Sequence, residues 1–126
     1  NNALSGKMNK EGYIDPENIT GELAKNLFDL NALFVDARPK AEYDSVHVKG
    51  AINIPYEEFV IKPFSEKRDI MKKFNKDGLI VVYCKGDKCE VSIDLAYEFA
   101  RLGFTSVSIY RGGIKEWKEK GFPVEP

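Results

Sequence analysis

Apolar residues in this chain come in short blocks whose period changes from block to block. Leu79 to Tyr83 is an unbroken apolar run that stops at Cys84. From Glu90 onward, Val91, Leu95, Phe99 and Leu102 recur at the spacing of one helix face. This predicts a buried strand, a tight polar loop and a helix, which Gly103 ends as a C-cap. Leu33-Phe34-Val35, stopping at Asp36, and Val107 to Tyr110 read as further strands. Gly50-Ala51-Ile52-Asn53-Ile54-Pro55 reads as a turn, a short strand and a stop. Glu22, Leu23, Ala24, Leu27 and Phe28 mark a helix that Thr20 can cap, with Asp15-Pro16 as a competing start. Ile19, or Tyr13-Ile14, is the candidate first strand. Pro39 opens a helical turn through Ala41, Glu42 and Tyr43. The stretch from Tyr56 to Phe64 reads as a connection interrupted by Pro63. Ile70, Met71 and Phe74 give a helix over 66–74. Gly112-Gly113 turns the chain into a short helix over 114–120, which Gly121 closes. Strands therefore alternate with helices, the pattern of an α/β domain with a mostly parallel sheet covered on both faces.

The chain has 126 residues, 43% hydrophobic and 31% charged, enough for one domain with a core. Residues 1–12 are polar and are expected to be a tail or linker, with the domain over 13–126. Its 19 basic and 20 acidic side chains leave a net charge of −1. That balance argues against nucleic acid or an anionic membrane as the main partner. No apolar run is long enough to span a bilayer. The chain starts at Asn1 rather than Met. The expected location is cytoplasmic, with export as the alternative for a processed or cut-down chain.

Two cysteines, Cys84 and Cys89, stand five positions apart in the polar loop. They are too few for a disulfide framework. A structural zinc site needs four ligands, and the single His47 is distant in sequence, so neither a metal nor a cofactor is expected. A redox or sulfur-handling pair fits better. In parallel sheets ligands bind beyond the carboxyl ends of strands, which is where Cys84 falls. Loop N–H groups and the start of the next helix favour an anion there, and a thiol in that field loses its proton more readily. Two readings of Cys84 follow, a nucleophile or a small residue buried at a strand end. Lys85 and Lys88 favour the thiolate, whereas Asp87 and Glu90 oppose it.

Three stretches resemble the rhodanese-like family. The first is Val35-Asp36-Ala37-Arg38 followed by Glu42-Tyr43, His47-Val48 and Gly50-Ala51-Ile52-Asn53-Ile54-Pro55. The second is the strand, Cys84, its loop, and the helix that ends in Leu102-Gly103-Phe104. The third is Arg111-Gly112-Gly113-Ile114, then Trp117, Gly121 and Phe122-Pro123-Val124. Each motif is weak alone; together, in order and at this spacing, they are specific. The resemblance implies a three-layer α/β/α domain around a five-stranded parallel sheet of order 3-2-4-5-1. It implies sulfurtransferase chemistry: Cys84 takes a sulfane sulfur from a small anionic or persulfide donor and passes it to cyanide or to a thiol of a small molecule or a protein.

Under that resemblance Lys85, Gly86, Asp87, Lys88, Cys89 and Glu90 form the anion-binding loop. Asp36, Arg38, Glu42, His47, Gly50, Gly112, Gly113 and Trp117 belong to the structural signature, and Arg111 is a candidate donor contact. In many family members Gly stands three places after Cys and Arg often five places after it. Here Gly86 comes two places after and Cys89 takes the Arg position. Cys89 is thus a candidate resolving thiol, with packing at the helix start as the alternative. Three rival functions stand beside sulfur transfer. A phosphatase or arsenate reductase would use a Cys-x5-Arg loop, but Glu90 holds that position. A non-catalytic binding module usually lacks the cysteine. A thiol–disulfide redox protein would use Cys84 and Cys89.

Overall fold

The computed structural model describes residues 8–126. Five parallel strands make the main sheet: β1 (Glu17–Ile19), β2 (Leu33–Asp36), β4 (Ile52–Asn53), β5 (Ile80–Tyr83) and β6 (Val107–Tyr110). Their spatial order is β1-β6-β5-β2-β4. Counting main-sheet strands only, this is 3-2-4-5-1, as the family resemblance implies. β5 is the central strand, in register with β2 (Val35 opposite Val82) and β6 (Val82 opposite Ile109). Every residue of β5 is buried, which explains its continuous apolar sequence.

The side chains alternate between two cores. Val35, Ile80, Val82, Val107 and Ile109 face one side. There they meet α3 (Tyr56–Val60), α4 (Phe64–Met71) and α5 (Val91–Arg101) through Phe59, Met71, Leu95, Ala96 and Phe99. Phe34, Val81, Tyr83 and Tyr110 face the other. They pack on α1 (Gly21–Asp29) and α6 (Gly113–Glu119) through Ala24, Leu27, Ile114 and Trp117. The domain is therefore a three-layer α/β/α sandwich. Thr20 caps α1 as expected, its hydroxyl accepting from the Leu23 N–H at 3.2 Å. Gly103, with φ +102°, follows the end of α5.

Two features depart from the sequence expectation, the helices of 56–64 and a second sheet. The stretch from Tyr56 to Phe64 is not an irregular connection but holds α3 and the start of α4. Pro55 and Pro63 have φ −61° and immediately precede these helices, so each opens a helix rather than interrupting one. Of the two candidates for the first strand, Ile19 is borne out: β1 is Glu17–Ile19, and Ile14 makes only an isolated bridge with Met8. A second, antiparallel sheet joins β3 (His47–Val48) to β7 (Val124–Glu125), two-residue strands too short to leave a periodic signal. A short helix α2 (Lys40–Ser45) follows Pro39. Of the expected polar tail over 1–12, residues 9–12 form a turn with Tyr13, in which the Asn9 N–H donates to the Tyr13 carbonyl at 2.7 Å. Residues 1–7 of that tail lie outside the described residues.

Candidate active site

β5 delivers Cys84 to the carboxyl edge of the sheet with 4% of its surface exposed. Neighbouring backbone then fixes the loop. The Ile114 N–H donates to the Cys84 carbonyl at 3.0 Å, and the Lys115 N–H to the Lys85 carbonyl at 3.0 Å. This contact explains the Gly-Gly pair. Gly113 has φ +66°, and a Cβ there would sit 2.7 Å from the Cys84 oxygen and 2.8 Å from the Gly86 nitrogen. Only glycine lets α6 start so close to the loop.

The loop closes on itself. The Cys89 N–H donates to the Gly86 carbonyl at 3.0 Å. Cys84 and Cys89 are joined by a disulfide with Cα atoms 6.2 Å apart, leaving no free cysteine among the described residues. That separation lies within the range disulfides ordinarily span.

The start of α5 lies directly after Cys89. Among the described residues, nothing accepts from the N–H groups of Gly86, Asp87, Lys88, Glu90, Val91 or Ser92. Glu90 stands at the N-cap position without a capping hydrogen bond from its side chain, and the buried Ser92 hydroxyl lacks a partner. A concentration of unpaired donors at a helix start favours negative charge.

Cys84 and Cys89 line one side of a cleft of about 270 Å³. Opposite them stand Ala37, Arg38 and Pro39 from the turn after β2 and Glu42 from α2, with Pro55, Tyr56, Glu57 and Glu58 from the start of α3. The cleft therefore opens beyond the carboxyl ends of β2, β4 and β5, where ligands of parallel sheets bind. Its charges are mixed: Arg38 and Lys85 against Glu42, Glu57 and Glu58.

Arg38 and Asp36 build the floor of this wall. The Arg38 Nε donates to Asp36 Oδ1 at 3.0 Å, and a terminal guanidinium nitrogen donates to Asp36 Oδ2 at 2.7 Å. The same nitrogen reaches the Val46 carbonyl at 2.6 Å. Burial works against the Arg38 charge, but the hydrogen bond and charge of Asp36 outweigh it and raise the guanidinium pKa. Asn53 donates to the carbonyls of Asp36 (3.0 Å) and Arg38 (2.9 Å), pinning the turn between them. Tyr83, the residue before Cys84, accepts from the Val48 N–H at 3.0 Å. Burial, aided by Asp36, pushes its phenol pKa far up and keeps it neutral.

The remaining sequence candidates divide. His47 is buried and does not line the cleft; its Nδ1 donates to the Tyr43 carbonyl at 2.7 Å and its Nε2 lies 3.3 Å from Glu125. Its ring stacks on Tyr43 at 3.8 Å. Gly50, at φ +80°, turns the chain and donates its N–H to Glu125 at 2.8 Å. Trp117 is wholly buried. Glu42 makes no ion pair among the described residues and lines the cleft. Arg111 lies behind the loop, donating to the Asp87 carbonyl at 2.7 Å, and does not line the cleft. The wall formed by Pro55 to Glu58 went unnoticed in sequence. Its signal was the Ile54-Pro55 stop, which carries the following helix to the cleft. Among the described residues no cluster of His, Cys, Asp or Glu could hold a metal ion.

These features define an α/β domain with a cysteine presented at the mouth of a parallel sheet. The family model of the rhodanese-like domain matches residues 20–120, and the chain belongs to that family. Thiosulfate sulfurtransferase 16 of Arabidopsis thaliana is 27% identical over 87% of this chain and 93% of its own length. M-phase inducer phosphatase 1 of Bos taurus is 31% identical over 90% of this chain but only 24% of that protein. The first curated relatives are spanned over 24% to 67% of their length. A crystal structure of a Bacillus halodurans protein superposes with a TM-score of 0.72 at 28% identity, covering 86% of this chain and 76% of that one.

Proposed function

We propose that this domain is a sulfurtransferase that carries a sulfane sulfur on Cys84. The observation that carries this reading is the position of Cys84, at the end of a buried central strand, opening into a cleft beside the unpaired N–H groups of the α5 start. With the disulfide reduced, the Cys84 thiolate attacks the outer sulfur of a donor such as thiosulfate. Sulfite leaves and Cys84–S–S⁻ forms; a thiol or cyanide then takes the outer sulfur and frees the thiolate. Splitting the transfer in two is covalent catalysis. The unpaired N–H groups offer stabilisation to the persulfide anion. Lys85 shares the cleft with Cys84 and favours negative charge there.

A phosphatase reading draws on the likeness to the M-phase inducer phosphatase. Clamping a phosphate oxyanion calls for an arginine at position 90. Glu90 is an exposed carboxylate and repels that oxyanion.

Mass spectrometry of the reduced protein tests the reading. After thiosulfate treatment of Cys89→Ser, which lacks the neighbouring thiol, the peptide bearing Cys84 is expected to gain one sulfur atom. Cys84→Ser is expected to abolish sulfur transfer to cyanide while retaining the fold. Undiminished transfer by Cys84→Ser would rule out this nucleophile.

A further inference from the structure

The disulfide between Cys84 and Cys89 shows that the two sulfurs come within bonding distance in the folded domain. Each cysteine is held by its backbone. The Cys84 carbonyl accepts from Ile114 and the Cys89 N–H is bonded to Gly86. Both side chains line the same cleft, Cys84 from a buried position and Cys89 from a half-buried one. The pair lies in the loop itself, so no distant segment has to move to bring Cys89 to the sulfur that receives the load.

We propose that Cys89 discharges the Cys84 persulfide and that the domain thereby reduces sulfane sulfur to hydrosulfide. This rests on the carrier role of Cys84 proposed above and adds a second fate for the bound sulfur. The step balances without an external oxidant. A proton passes from the Cys89 thiol to the outer sulfur, giving Cys84–S–SH and a Cys89 thiolate. That thiolate attacks the Sγ of Cys84. The Cys84–Cys89 disulfide forms, the bond from Cys84 to the outer sulfur breaks, and HS⁻ leaves. The two thiols supply two electrons and are oxidised; the sulfane sulfur takes both and is reduced to sulfide. A dithiol reductant then opens the disulfide and restores the pair.

Proximity makes this route compete with an external acceptor. Cys89 is tethered five residues from Cys84, and an intramolecular thiol of suitable orientation acts at a high effective concentration. The target atom also matters. Attack on the inner sulfur gives the disulfide observed. Attack on the outer one would only move the sulfur from Cys84 to Cys89.

The test is a single turnover without oxygen or added reductant. Wild type and Cys89→Ser are reduced, freed of reductant, and treated with thiosulfate or, separately, glutathione persulfide. Wild type is expected to release about one hydrosulfide per chain, lose both free thiols and show the mass of the disulfide form with no added sulfur. Cys89→Ser is expected to keep the added sulfur on Cys84 and to release at least tenfold less hydrosulfide. The added sulfur found on Cys84 of this variant itself shows that the nucleophile survives the substitution. A wild type that keeps the added sulfur as Cys89→Ser does, or carries it on Cys89, overturns the proposal and leaves the carrier role standing. A Cys89→Ser variant that takes up sulfur from neither donor overturns the carrier role, and this proposal with it.

Discussion

Asp36 and Arg38 carry opposite charges in a setting where neither is stable alone. Their side chains are 0% and 6% exposed, and they meet through paired hydrogen bonds. Removing one partner of such a pair leaves a buried charge uncompensated, at a cost of about 3–5 kcal/mol, although replacing both is often tolerated. Arg38→Met is therefore expected to lower unfolding free energy by about that amount. Asp36→Asn combined with Arg38→Met should recover part of it. Urea denaturation of the three variants checks this, and a double variant no more stable than Arg38→Met would show that the pair is not the source. The pair was legible in the sequence only as a motif. That Glu42 stands apart from it, facing the cleft, follows from the direction of α2 and from no pattern of residue types.

The Cys84 loop depends on the element packed against it. A methyl group at position 113 would collide with the backbone of Cys84, Lys85 and Gly86, and φ +66° is itself unfavourable for alanine. Gly113→Ala is expected to cost roughly 1–3 kcal/mol and to displace the loop, so sulfur loading should fall more than stability alone explains. Thermal unfolding and single-turnover loading measured side by side separate the two effects. Loading at the wild-type level would mean that α6 does not set the loop geometry. Elements of this kind also mark what the sequence could convey. β2, β5, α5 and β6 could be read from periodicity because each buries several residues on a regular face. α3 buries only Phe59, and its proline start resembles a break. The two-residue strands β3 and β7 carry no period at all, since they pair residues far apart in the chain, His47 with Glu125 and Val48 with Val124. The position of Cys84 followed from a strand that ends at a cysteine. The opposite wall of its cleft arises from three separate elements and had no local signature.

At the scale of the molecule, β7 closes the domain by pairing with β3. Glu125 accepts from the Gly50 N–H and lies near His47, and these contacts hold its pKa below the ordinary value of 4.5 against the opposing effect of desolvation. A carboxylate lowered on folding contributes stability above its unfolded pKa and loses it as pH falls through the folded one. Wild type is thus expected to exceed Glu125→Gln in stability at neutral pH, with the two converging below about pH 4.5. Denaturation across that range decides it; a constant gap would assign the effect to packing. The same closure brings Pro123 to Trp117, whose indole N–H donates to the Pro123 carbonyl at 2.7 Å. Trp117 is the chain's only tryptophan. It is wholly buried against Phe28, Phe34 and Phe122, on the helix whose first turn braces the Cys84 loop. Excited beyond the absorption of its six tyrosines, the intrinsic fluorescence of this protein is therefore the emission of a single shielded indole, readable without a label.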